Sequence, residues 1–147
     1  METFINNVHS LPDGEKKALL EKLLALSDEV SWSREENGSP IWVHLGIIGF
    51  CLPFVRTPWE KNPVFLARRE EFADQFIADI SPVGEFGDNE GSATSIAAHY
   101  RLEGKVLEAI REDGISFSAA GFYHPAYYKD GELIAYVIGW HDMLVWC

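Results

Sequence analysis

Asp130-Gly131 constrains this chain more than any other local feature, because it sits between two strand-like runs, Tyr127-Tyr128-Lys129 and Glu132-Leu133-Ile134. A two-residue connection between antiparallel strands needs positive φ at both turn positions, which Asp and Gly tolerate. The segment therefore predicts a type I′ β-hairpin. Ala135 to Trp140 continues its second strand, and Met143-Leu144-Val145-Trp146 reads as a short last one. Ile115-Ser116-Phe117-Ser118 alternates and reads as a strand ahead of the hairpin.

Upstream, the pattern is helical. From Ser10 to Val30, Leu19, Leu23, Leu26 and Val30 form one stripe, widened by Leu20 and Leu24, with Pro12 in the first turn. Glu29 to Pro40 mixes Ser, Asn and Gly with charges and reads as a polar loop. The apolar run Ile41 to Leu52 has neither a helical nor an alternating period. Its β-branched and aromatic content favours a buried strand or strand pair, and a buried helix stays open. Asn62-Pro63 caps a second helix expected to reach Ile80, with Phe65, Phe72, Phe76 and Ile80 inward. Gly84 to Gly91 reads as an acidic loop. Ser92 to Asp113 reads as a third helix, with Gly104 as a bend and Gly114 beyond its end. Helices early and strands late argue for one α+β domain over residues 1–147, with about three helices on a small, mainly antiparallel sheet that ends in a hairpin.

Composition narrows the function classes. At 147 residues, with 47% hydrophobic and 24% charged residues, the chain can bury the core of a single domain. Its net charge of −11 disfavours nucleic acid and anionic membranes, since phosphate binding needs clustered Lys and Arg, and favours a basic partner. Ile41 to Val55 is too short to cross a bilayer, and Met1 to Asn7 lacks the features of a secretion signal, so the expected location is the cytoplasm. Cys51 and Cys147 form no CxxC pair, which argues against a disulfide framework.

Chemistry-bearing groups are sparse. His9, His44, His99, His124 and His141 form no HxH or HExxH pattern, and no metal or cofactor is expected. Gly87-Asp88-Asn89-Glu90-Gly91 lacks the spacing and the final Glu of a calcium loop. Cys51 could meet His44 only on a helix, because positions seven apart on one strand face opposite ways. Ser95 and His99 would share a helical face with no acid to complete a triad.

An aromatic C-terminal part (Phe122, Tyr123, Tyr127, Tyr128, Tyr136, Trp140 and Trp146) is the remaining signal. Alternation along a hairpin sends half of such residues outward, and exposed Tyr and Trp anchor protein contacts. In size, acidity and scarcity of catalytic groups the chain resembles small cognate inhibitors, such as immunity proteins that neutralise a toxin by occluding its active site. The resemblance is one of type and carries no residue correspondence. The expected partner is a protein with a basic surface, met by Glu85, Asp88 and Glu90 in the acidic loop, by Asp130 and Glu132 at the hairpin, and by Tyr127, Tyr128 and Trp140 as anchors. No catalytic residue is assigned. Two other readings stand beside it: a small enzyme or ligand-binding domain with a pocket near His99, His124 and His141, and an obligate homodimer whose aromatic C-terminal strand pairs across a two-fold, which should show a large exposed apolar patch.

Overall fold

The computed structural model describes residues 2–35, 38–80, 95–119, 121–139 and 142–147, with the side chains of 35, 39–42, 53–54 and 95 left undescribed. Nine strands and three α-helices are present among them. The order is β1 Thr3–Asn6, α1 Asp13–Leu26, β2 Glu29–Glu35, β3 Ser39–Leu45, β4 Ile48–Thr57, α2 Pro63–Glu71, β5 Phe76–Ile80, β6 Ser95–Arg101, α3 Gly104–Asp113, β7 Tyr123–Lys129, β8 Glu132–Ile138 and β9 Met143–Trp146. Seven strands form one sheet in the order β1-β9-β8-β7-β2-β6-β5, and β3 and β4 form a separate two-stranded sheet. Every pairing between these strands is antiparallel. The α+β class holds, and the sheet is larger than the sequence suggested.

The C-terminal hairpin closes as expected. Lys129 pairs with Glu132, and the turn residues Asp130 and Gly131 have φ of 51° and 83°. Upstream, three segments depart from the sequence reading. Glu29–Glu35 is not a loop but a central strand between β6 and β7. Its strict alternation sends Val30 and Trp32 into the core and leaves Ser31 and Ser33 on the opposite face, so its polar composition hid a period of two. The second helix stops at Glu71, and Phe76–Ile80 pairs with β6 as an edge strand. Phe72 and Phe76, four apart, imitated one helical face across that boundary.

Within the helix expected from Ser92, Ser95–Arg101 is a strand, followed by α3 from Gly104. Ala97 and Ala98 are good helix formers, but here they are small residues buried between packed neighbours, and tertiary packing overrides their propensity. Gly104 (φ 54°) opens α3 rather than bending it. The first helix is likewise shorter than expected, and Val30 belongs to β2. Ile115 to Ser118 is not a strand, although Ile115 and Phe117 are buried.

All three helices cover one face of the large sheet. Leu20, Leu23 and Leu24 of α1, Phe65 of α2, and Val106, Ala109 and Ile110 of α3 join Phe72, Val30, Trp32, Tyr100, Tyr127 and Leu144 in a single core. Trp32 is its centre, with ring centroids of Phe72, Tyr100, Phe117 and Phe122 at 5.9, 5.7, 5.0 and 5.6 Å. Asn62 caps α2 by accepting hydrogen bonds from the amides of Val64 and Phe65, so the Asn-Pro signal was read correctly. On the opposite face, Ala126, Tyr128, Tyr136 and Val145 form a smaller cluster with Leu133, Ile138 and Met143.

Candidate functional site

The residues proposed as partner contacts divide into three groups. Asp130 and Glu132 are exposed at the β7–β8 turn. Asp28 fixes that tip, accepting a hydrogen bond from the Asp130 amide at 3.2 Å and lying 3.6 Å from the Lys129 ammonium. Tyr127 and Tyr128 are buried, at 0% and 4% exposure, so neither ring reaches the surface of the chain. Alternation does send them to opposite faces, but both faces of the sheet are covered at this point: Tyr127 enters the helix-covered core, and Tyr128 the cluster behind it. Glu85, Asp88, Glu90 and Trp140 lie outside the described residues.

Two of the three histidines proposed for a pocket are described, His99 on β6 and His124 on β7. His124 accepts a hydrogen bond from the Gly139 amide at the start of β7, and His141 lies outside the described residues. Ser95 and His99 sit on a strand, where four residues span about 13 Å, so they are not neighbours. Among the described residues no three His, Cys, Asp or Glu side chains converge as metal ligands would. Among the described residues no helix is long and apolar enough to cross a membrane.

Strand register instead builds a polar group that the sequence concealed. Glu29 and Ser31 lie two apart on β2, His99 stands opposite Ser31 on β6, and Tyr128 stands opposite Glu29 on β7. His99 Nδ1 is 2.6 Å from Glu29 Oε2, and the imidazole is nearly enclosed. Its ring lies against Tyr128 at 5.2 Å, and the Ser31 hydroxyl makes a long 3.5 Å contact to the Tyr128 hydroxyl. His99 Nε2 is buried and has no hydrogen-bond partner among the described residues. A carboxylate on one ring nitrogen fixes the orientation of the imidazole, the arrangement a general base uses. Only pairing across three strands brings these residues together, and no spacing along the chain encodes it.

A second polar cluster is structural. Asp79 on β5 accepts from Arg69 at 3.2 and 2.9 Å and from Arg34 at 3.2 Å. Burial pushes the Asp79 carboxyl up, but the hydrogen bonds from Arg69 and Arg34 and their positive charges outweigh it and hold the group below its ordinary range. Arg69 also stacks over Phe76 at 4.6 Å, and Arg34 over Phe65 at 5.1 Å, so the cluster ties α2 to two strands. The nearby Tyr100 hydroxyl is pushed up to about 12, chiefly by burial.

The most exposed apolar surface belongs to the β3–β4 ribbon. Gly46 (φ 64°) and Ile47 make its two-residue turn, with Leu45 paired to Ile48. Glycine with positive φ at the first turn position suits a type II′ hairpin. Register then places Val43 opposite Phe50 and Leu45 opposite Ile48, with Leu52 next in line, on one face. Leu45 and Ile48 are each 64% exposed, Phe50 is 41% exposed, and Ile47 at the tip is fully exposed. On the other face His44 lies over Gly49, and Cys51, half-buried, stands two residues along on the same strand. His44 and Cys51 thus share a face diagonally across a hairpin, an arrangement that the one-strand argument did not consider. Comparison of the chain with known protein families, curated proteins and solved structures returns no match. What the protein does must therefore be argued from these surfaces.

Proposed function

We propose that this protein works by binding other proteins and that the β3–β4 ribbon is one of its contact surfaces. The observation that carries the reading is the ribbon's apolar face, which leaves Leu45, Ile47, Ile48 and Phe50 together in solvent. A contiguous exposed patch of this kind marks a contact surface, whereas isolated exposed apolar residues do not. The body of the molecule carries the net charge of −11, which suits a basic partner and rapid, charge-steered encounter. The finer reading is an inhibitor of a cognate protein, in the manner of an immunity protein. Asp130 and Glu132 on the braced β7–β8 turn would meet the partner's basic surface, together with Glu85, Asp88 and Glu90.

The test is affinity capture with the purified chain as bait, followed by binding kinetics at two salt concentrations with Asp130→Lys and Glu132→Lys. An inhibitor of a basic protein should lose association rate with salt and with either reversal. A captured partner whose association is indifferent to both would remove the charge-steered inhibitor. A second reading, general-base chemistry on a small ligand, is supported by the Glu29–His99 pair and its unpaired Nε2. It would replace the first if no protein partner were captured and a small metabolite raised the melting temperature of the native chain but not of His99→Gln.

A further inference from the structure

We propose that the apolar face of the β3–β4 ribbon is covered by the same face of a second copy of this chain. The inference rests on the reading of the ribbon as a contact surface and names its occupant. Charge selects that occupant. From Ser39 through Val55 there is no Asp, Glu, Lys or Arg, although the chain as a whole carries −11. Two copies repel wherever their acidic bodies face one another, and the ribbon is a surface on which they can meet without that penalty. A basic partner would find no complementary charge there.

Shape agrees with charge. Val43 opposite Phe50 and Leu45 opposite Ile48 line one face with branched and aromatic apolar side chains. Two such faces related by a two-fold axis interdigitate as a small sandwich of two-stranded layers about 10 Å apart, each surface being its own complement. A lone two-stranded ribbon is marginal in water, so the second layer also supplies what β3 and β4 lack in isolation. The side chains of Leu45, Ile47, Ile48 and Phe50, with the half-buried Val43 and Leu52, offer roughly 300–400 Å² of apolar surface per copy by side-chain transfer areas. Because interfaces are only about 60% apolar, the whole contact comes to about 1,000–1,300 Å² over both copies, the low end of the specific class. The dimer is therefore reversible and depends on concentration.

Sedimentation velocity of the full chain across the micromolar range tests this. The mass should move from 16.6 kDa toward twice that value as concentration rises, and added salt should leave the dimer unchanged or strengthen it by screening the acidic bodies. Ile48→Asp and Phe50→Asp should each weaken self-association at least about tenfold. Measured at a dilution where the wild type is monomeric, their melting temperatures should stay at the wild-type value, because neither side chain belongs to the core; Leu45→Ser provides a milder second check. A wild-type chain that stays monomeric at the highest concentration would overturn the proposal. So would a dimer that both aspartate variants retain, or one that salt dissolves. Ribbon-dependent flotation of a monomer with phosphatidylcholine vesicles would also overturn it, by assigning the face to lipid. If the chain is monomeric but the same variants abolish binding to a different captured protein, the second copy is excluded and the protein-contact reading stands. If the variants change neither self-association nor capture, both fall.

Discussion

The large sheet and the β3–β4 ribbon are built from the same kinds of residue and meet opposite fates. Phe72 and Phe122 are fully enclosed around Trp32, while Phe50, on an equally regular antiparallel pair, stands 41% exposed. In each case register gathers apolar side chains on one face. The large sheet has three helices to lay on that face, whose own apolar stripes need the same cover. Strands β3 and β4 pair only with each other, and their outward face remains in solvent. Apolar patterning therefore creates a demand for cover, and the supply has to come from elsewhere in the chain or from another molecule.

The comparison is broken most sharply at Trp32. Truncating it to Ala removes the ring on which Phe72, Tyr100, Phe117 and Phe122 converge, and should cost about 3–5 kcal/mol in denaturant unfolding. A loss below about 1 kcal/mol would show that the helix-covered face is not the stabilising centre.

Next in size is Asp79, which holds α2 to the edge of that same sheet. Asp79→Asn should cost about 1–2 kcal/mol at neutral pH, because two guanidinium groups lose a charged acceptor that is partly open to solvent. The pH dependence follows from the lowered carboxyl. The unfolded chain binds this proton more readily than the folded one, so the stabilisation is complete above the ordinary Asp range. It drains away as the pH falls from that range through the depressed folded value. Thermal melts between pH 7 and pH 2 should show a shallower acid limb for Asp79→Asn than for wild type. Identical limbs would mean that the cluster contributes nothing to acid stability.

A smaller effect of opposite sign is expected at Tyr127. Its hydroxyl is buried without a hydrogen-bond partner among the described residues, and burial pushes its ionisation well above the ordinary tyrosine range. Tyr127→Phe removes an unsatisfied polar group at constant shape and should raise stability by up to about 1 kcal/mol. A clear loss instead would reveal a bond that the hydroxyl makes in solution. The smallest effect sharpens the contrast from the other side: Ile48→Asp should change the unfolding free energy of the dilute chain by no more than about 0.5 kcal/mol, since the ribbon's outer face adds nothing to the core.

Legibility in the sequence followed locality. The Asp130-Gly131 turn and the Asn62-Pro63 cap were readable because each is decided by the conformational limits of adjacent residues. Of the stretch read as a third helix, Ser95 to Arg101 was misread because alanines at 97 and 98 and the i, i+4 pair Ile96–Tyr100 satisfy a helix locally, while pairing with β2 and β5 decides otherwise; Gly104 to Asp113 is helical as read. Of the proposed contact residues, Asp130 and Glu132 stand where the turn places them, whereas Tyr127 and Tyr128 are withdrawn by packing on both sides of β7.

By itself, then, the sequence determined the features that short stretches of backbone and net charge control: the Asp130-Gly131 turn, the capped start of α2, the α+β class and the acidity of the body. Tertiary structure alone decided which polar residues meet. Glu29 and His99 are 70 positions apart and come within 2.6 Å because β2 lies between β6 and β7. It also decided which apolar residues stay outside. Burial is a relation between a surface and whatever covers it, and in Leu45, Ile48 and Phe50 the chain holds the surface without the cover.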